Sequence, residues 1–183
     1  LFEVAGIGCI AEYCNGKGYG IALWHESHNH PSQIVPYEGA ATGVGGNVRD
    51  VCCMGAKVIA VGDGLRFGEI TKPKSKWIHE GVVSGIAGYG NTLGIPNVCG
   101  DLYYHHGYNE NCLVTVLTLG AICEDNIIHS YAPPNADGYD LILIGKPTDN
   151  SGFGGASFAS LELEEDEMEK NKGAVQEPNA FVE

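Results

Sequence analysis

The chain has 183 residues, 44% of them hydrophobic and 18% charged, which is the composition of a folded globular protein rather than a disordered or fibrous one. Ten Lys+Arg stand against 23 Asp+Glu, a formal net charge of -13. That balance argues against a nucleic-acid partner, which needs a basic face, but leaves nucleotides open, since phosphates also bind to backbone N–H groups and Mg²⁺.

The length allows one to two domains. There is no signal peptide and no apolar run of membrane-spanning length, so no membrane partner and a cytoplasmic location are expected. The seven cysteines are odd in number and form no C-x-x-C pair; apolar neighbours such as Val51, Val98 and Leu113 predict buried free thiols. The chain starts at Leu1 inside an apolar stretch and reads as a piece of a longer polypeptide.

Gly20–Trp24 reads as a strand. It runs into Glu26-Ser27-His28-Asn29-His30-Pro31-Ser32, which sets a carboxylate, a hydroxyl, an amide and two imidazoles side by side. In an extended segment Glu26, His28 and His30 share a face, because alternate side chains point the same way. Glu26 is a hard oxygen ligand suited to Mg²⁺, and a histidine suits proton transfer. A polar edge strand with incidental histidines is the bland alternative. Zinc held by His25, His28 and His30 is another, although H-E-x-x-H is absent.

Next comes a glycine-rich stretch with Gly43, Gly45 and Gly46, expected to open a helix over 40–54 on Val44, Val48 and Val51. Glycines there would let the backbone approach a phosphate, with the helix N-terminus aimed at it. The stretch is neither a P-loop nor a G-x-G-x-x-G fingerprint, and a tight turn before a packed helix is the plainer reading. Arg49 can bind a phosphate bidentately. Asp50 can join Glu26 on Mg²⁺, or pair with Arg49 as a surface salt bridge.

Lys57–Val61 reads as a short strand ended by Gly62-Asp63-Gly64. A helix is expected over Ser75–Leu93, with Ile78, Val82, Ile86 and Leu93 on one stripe. Asn97–Tyr104 and Cys112–Cys123 read as two strands of a hairpin. Asp101 is either a site carboxylate or a strand-end turn. Pro133-Pro134 marks a plausible boundary, followed by a strand over Tyr139–Gly145 and a second glycine-rich loop, Gly152–Ser157, able to hold a second anion. The acidic stretch Glu162–Glu169 reads as a solvated face. The order of elements favours a sheet covered by helices.

Taken together, the Glu26–Ser32 run, Pro36–Gly46, Arg49-Asp50, Met54-Gly55-Ala56, Leu65-Arg66-Phe67-Gly68, Gly88–Asn91, Gly94-Ile95-Pro96, Gly154–Ser160 and Ala174-Val175-Gln176 resemble phosphoribosylformylglycinamidine synthase, the synthetase subunit of the small multi-subunit type. The resemblance covers nearly the whole chain. It implies an α+β fold: a ferredoxin-like N-terminal domain of the aminoimidazole ribonucleotide synthase-like superfold over 1–133, its sheet pairing into a barrel, and the start of a second α+β domain over 134–183. It implies an ATP- and Mg²⁺-dependent ligase of de novo purine synthesis. Such a ligase uses formylglycinamide ribonucleotide and ammonia, and works with a glutaminase subunit and a small accessory subunit as a homodimer or pseudo-dimer.

Carried over by residue, Glu26 and Asp50 would hold Mg²⁺, His28 would be the base, and Ser27, His28, Asn29, His30, Arg49 and Gln176 would contact substrate. Trp24 stands where the family carries a lysine that contributes to ATP binding, and Thr148–Gly152 lacks the family's arginine. A non-catalytic nucleotide-binding domain is therefore a further reading.

Overall fold

The computed structural model describes residues 7–14, 16–158 and 171–182. Its centre is a five-stranded sheet, β1 (Ile7–Cys14), β2 (Lys17–Ser27), β3 (Lys57–Phe67), β4 (Asn97–Tyr104) and β5 (Leu113–Cys123), in the order β1-β2-β5-β3-β4. All neighbours are antiparallel except β3 and β4. One face is covered by α2 (Pro36–Cys53) and α3 (Pro73–Leu93); the short α1 (Asn29–Ile34) fills the bend between β2 and α2.

Alternation decides which face is which. Along β5, Val114, Val116, Thr118, Gly120 and Ile122 are buried while their neighbours are half-exposed. Val114 and Val116 meet Val44 and Val48 of α2, Ile78, Val82 and Ile86 of α3, and Val61, Leu65 and Phe67 of β3, while Ile122 packs with Val51 of α2 and Ala22 of β2. Period two on the strand and 3.6 on the helices thus converge on one apolar layer. Both long helices begin with proline at the first turn, where its missing N–H costs nothing. Gly94, at φ 69°, ends α3 in the left-handed conformation that glycine adopts most easily, and Ile95 N–H closes back on the Gly90 carbonyl at 3.1 Å.

The α+β class holds, but several expectations fall. The sheet is open. Closing it would require β1 to bond β4, yet these are the two outer strands and share no pairing among the described residues. Nor is the connectivity that of a ferredoxin-like domain with two split βαβ units. β5 does separate β2 from β3, but β3 and β4 are direct parallel neighbours joined by α3.

The expected β4–β5 hairpin is absent for the same reason: β5 inserts between β2 and β3. Gly62-Asp63-Gly64 does not end β3. It pairs through to Phe67, with Gly62 set against Cys99, where a Cβ would meet the cysteine sulfur. Tyr139–Gly145 joins no sheet, and Leu141–Ile144 are fully or almost fully exposed. Among the cysteines whose side chains are described, only Cys112 is buried, its thiol pushed up to about 12 by burial; Cys52 and Cys53, in the last turn of α2, and Cys99, on the edge strand β4, are exposed. The stretch Glu162–Glu169 lies outside the described residues.

Candidate functional site

β2 delivers Glu26 and Ser27 to the end of the sheet, where the chain turns at His28 into α1. Three hydrogen bonds fix the turn to the start of β5. His28 N–H donates to the Val114 carbonyl at 2.7 Å, Val114 N–H donates to Asn29 Oδ1 at 2.8 Å, and Cys112 N–H donates to Gln33 Oε1 at 2.9 Å. Asn29 is therefore partly a structural side chain, and its amide NH₂ is the end left for a ligand.

The glycine-rich stretch is where the structure departs most from the sequence reading. Gly43, Gly45 and Gly46 lie inside α2, which already starts at Pro36, so no loop cradles a phosphate there. Their missing Cβ atoms serve packing. A Cβ on Gly43 would lie 3.0 Å from the His28 ring, and one on Gly45 would lie 2.5 Å from the Tyr89 ring. Gly46 opens toward Glu26 and Arg49. Thr42, Gly46 and Arg49, at i, i+4 and i+7, share one helix face.

That face, the Glu26–Pro31 turn and the segments around Ser151 and Gln176 wall a single cleft of about 620 Å³. Of the expected site residues, Glu26, Ser27, His28, Asn29, His30, Arg49, Gln176 and Gly46 line it; Asp50, Gly43 and Gly45 do not. Gly152 and Gly155 of the second glycine-rich loop reach the same cleft, which was not foreseen, and so does Thr42. A polar residue on an otherwise apolar helix face, Ala40-Ala41-Thr42-Gly43-Val44, was the available signal. His30 meets Phe158 edge to face, ring centres 5.9 Å apart.

Electrostatics pair the acidic groups. The Glu26 carboxylate stands 3.6 Å from His28 Nε2, and this histidine, chiefly by hydrogen bonding and then by charge, holds the Glu26 pKa below its usual value against the opposing effect of burial. Trp24, two residues back on the same side of β2, adds a smaller lowering contribution through its indole N–H, although that group has no hydrogen bond of good geometry. Asp50 is shifted the other way: partial burial, then the Glu26 charge, raise its pKa, and Arg49 opposes them. Nδ1 of His28 is buried without a partner.

Two carboxylates that repel each other beside a cleft fit a divalent cation, which would relieve the repulsion and leave positions for phosphate oxygens. The three-histidine zinc set is not assembled. His25 alternates to the exposed side of β2, away from Glu26, and the described residues contain no group of three His, Cys, Asp or Glu placed to hold a metal. The rings of His105 and His106 lie 4.0 Å apart after β4, tilted by 36°. Asp101 is neither in the cleft nor at a strand end. It lies within β4 and binds Arg66 bidentately at 2.8 Å.

The opposite shifts give opposite stability effects. Asp50 carries a folded-state cost that is absent below its unfolded pKa and full above its raised folded pKa. Glu26 contributes stability that is present above its unfolded pKa and lost as pH falls through its lowered folded pKa. Without divalent cations, Asp50→Asn is expected to raise the melting temperature at pH 7 and leave it unchanged near pH ~3. Glu26→Gln should lower it at pH 7. Scanning calorimetry at the two pH values checks both signs.

Residues 8–122 match the family described as AIR synthase related protein, N-terminal domain. The chain is 53% identical over 186 residues to phosphoribosylformylglycinamidine synthase subunit PurL of Methanothrix thermoacetophila, covering 98% of this chain and 23% of that protein. It is similar to the solved structure of T. maritima PurL complexed with FGAR, with TM-score 0.75 and 36% identity over 97% of this chain and 27% of that one. It is also similar to T. maritima PurL complexed with ATP, with TM-score 0.59 and 42% identity over 70% of this chain and 20% of that one. The chain thus spans about a quarter of the length of the relatives it matches. Among the described residues no helix is long and apolar enough to cross a membrane.

Proposed function

Since the chain belongs to the AIR synthase related family, through its N-terminal domain, we propose that it is the part of an ATP-dependent phosphoribosylformylglycinamidine synthase that activates the substrate amide. The overall conversion is formylglycinamide ribonucleotide, ATP and ammonia to formylglycinamidine ribonucleotide, ADP and phosphate. The observation that carries the reading is the single cleft in which the Glu26–His30 run meets Arg49 and Gln176. The relatives named above support the choice of substrates.

In this reading the amide oxygen takes the terminal phosphoryl group of ATP and ADP departs. Ammonia then attacks the activated carbon, phosphate leaves, and a proton is lost from nitrogen. Phosphoryl transfer of this kind depends mainly on positioning and charge neutralisation. Arg49, which lines the cleft from α2, would take a phosphate, and Ser27, the Asn29 amide, His30 and Gln176, which line it too, would hold the rest of the substrate. His28 takes the proton. The Glu26 carboxylate, 3.6 Å from Nε2, offsets the charge of the resulting imidazolium. Mg²⁺ bound by Glu26 and Asp50 would neutralise phosphate charge.

Trp24 does not wall the cleft. The exposed apolar run Leu141–Ile144 supports reading 134–183 as the beginning of a second domain, since such a run requires a covering layer. Ammonia would come from a glutaminase subunit, with the accessory subunit and a homodimer or pseudo-dimer completing the assembly.

The test is an assay of the full-length protein with formylglycinamide ribonucleotide, ATP, Mg²⁺ and ammonium. ADP should form only when substrate and ammonium are both present. Formation no greater than in a His28→Ala variant would retire the ligase, and calorimetric binding of ATP without turnover would identify a silent nucleotide-binding domain.

A further inference from the structure

Thr42 lies within α2, 8% exposed. A threonine inside a helix ordinarily satisfies its hydroxyl on the carbonyl of the preceding turn. Here Oγ1 instead donates across the cleft to the Gln176 carbonyl at 3.1 Å, joining positions 134 residues apart in sequence. Gln176 needs such a bond. It belongs to no helix or strand and its side chain is exposed, so no ladder fixes where that side chain enters the cleft.

The next residue is fixed from the opposite side. Glu177 N–H donates to Ser151 Oγ at 3.2 Å, and its carbonyl accepts from Lys146 Nζ at 2.8 Å. Asp149 binds both of these partners, Lys146 at 2.7 Å and Ser151 Oγ at 2.7 Å. The loop thus holds Glu177, while Thr42 ties Gln176 to the helix that carries Arg49.

We infer that Thr42 is the positioning residue of Gln176: its hydroxyl sets the backbone from which the Gln176 side chain meets the substrate, and so sets the affinity for formylglycinamide ribonucleotide rather than for ATP. The inference rests on the reading of Gln176 as a substrate contact. An exposed glutamine side chain must be ordered at the moment of binding, and a backbone held beforehand, by Thr42 at Gln176 and by the loop at Glu177, removes part of that cost.

The test compares Thr42→Val, Thr42→Ser and Gln176→Ala in the full-length protein. Thr42→Val should raise KM for formylglycinamide ribonucleotide roughly fivefold, the scale of one hydrogen bond. KM for ATP and the melting temperature should barely move, and amide exchange at Gln176 and Glu177 should quicken. Thr42→Ser, which keeps the O–H, should stay within about twofold of the native protein on every measure. Equal rises in both KM values, or a lower melting temperature with unchanged substrate KM, overturns the positioning role. So does a Thr42→Val protein with native substrate KM when Gln176→Ala weakens substrate binding. If Gln176→Ala itself leaves substrate affinity unchanged, the substrate reading of Gln176 has failed and the positioning role falls with it, even where exchange shows that the tether exists.

Discussion

Replacing His28 by asparagine in the full-length protein is expected to lower kcat by about 10²–10⁴, the range lost with a positioned general base, while calorimetric affinities for ATP and formylglycinamide ribonucleotide stay within a few-fold of native. The geometry restricts what else the residue does. Its backbone is fixed by the bond to Val114, which asparagine retains, and its ring rests against the glycine surface of α2 at Gly43. The loss should therefore fall on turnover. A variant retaining more than a tenth of native kcat removes His28 from the proton-transfer role. Gly43→Ala offers an independent check, since it keeps the imidazole but displaces it: a Cβ there lies 3.0–3.3 Å from three carbons of the His28 side chain.

The second large effect concerns Gly39. Within a helix, glycine to alanine ordinarily gains about 1 kcal/mol. At Gly39 the new Cβ would sit 2.5 Å from both the Pro31 carbonyl carbon and the Ser32 nitrogen, backbone atoms of α1 that cannot turn aside as a side chain would. Overpacking of this kind costs roughly 1–3 kcal/mol and can exceed that. Because the obstruction is backbone, we place it at the top of the range or above, for an expected net loss of about 2 kcal/mol. The displaced element carries Asn29 and His30, so KM for the ribonucleotide should rise as well. Gly90→Ala is the control. There the nearest atom is 3.9 Å away, and the substitution should be neutral or stabilising by up to about 1 kcal/mol. Equal unfolding curves for the two variants would show that the close approach of α1 to α2 carries no energetic weight.

What could be read from the sequence follows from the kind of signal each feature leaves. Val44, Val48 and Val51, and Ile78, Val82 and Ile86, repeat at helical spacing because each set buries one side of its helix, and both helices contain the residues that spacing marks. The Glu26–His30 run was legible because its chemistry is dense. The start of α2 was not, because glycine has poor helix propensity and a cluster of four reads as a loop. Gly39, Gly43 and Gly45 stand where α1, the His28 ring and the Tyr89 ring press on the helix, and such contacts have no local pattern. Strand order was misread for a related reason. β4 and β5 are consecutive in the chain, which favours a hairpin, but the apolar alternation of β5 suits a central position and the exposed β4 suits an edge. Thr42 was missed because its partner is far away in sequence.

The place of β5 has a consequence for how the molecule is made. Of these five strands it is the last to leave the ribosome and the middle one of the sheet, and β2 and β3 share no hydrogen bond without it. Until Leu113–Cys123 emerges, the nascent chain has two separate ribbons, β1–β2 and β3–β4, neither with enough partners to be stable alone. The turn at His28 also waits, since it is fixed by Val114 and Cys112. The sheet and the Glu26–His30 wall of the cleft are therefore completed together, and a chain stopped just short of β5 lacks both.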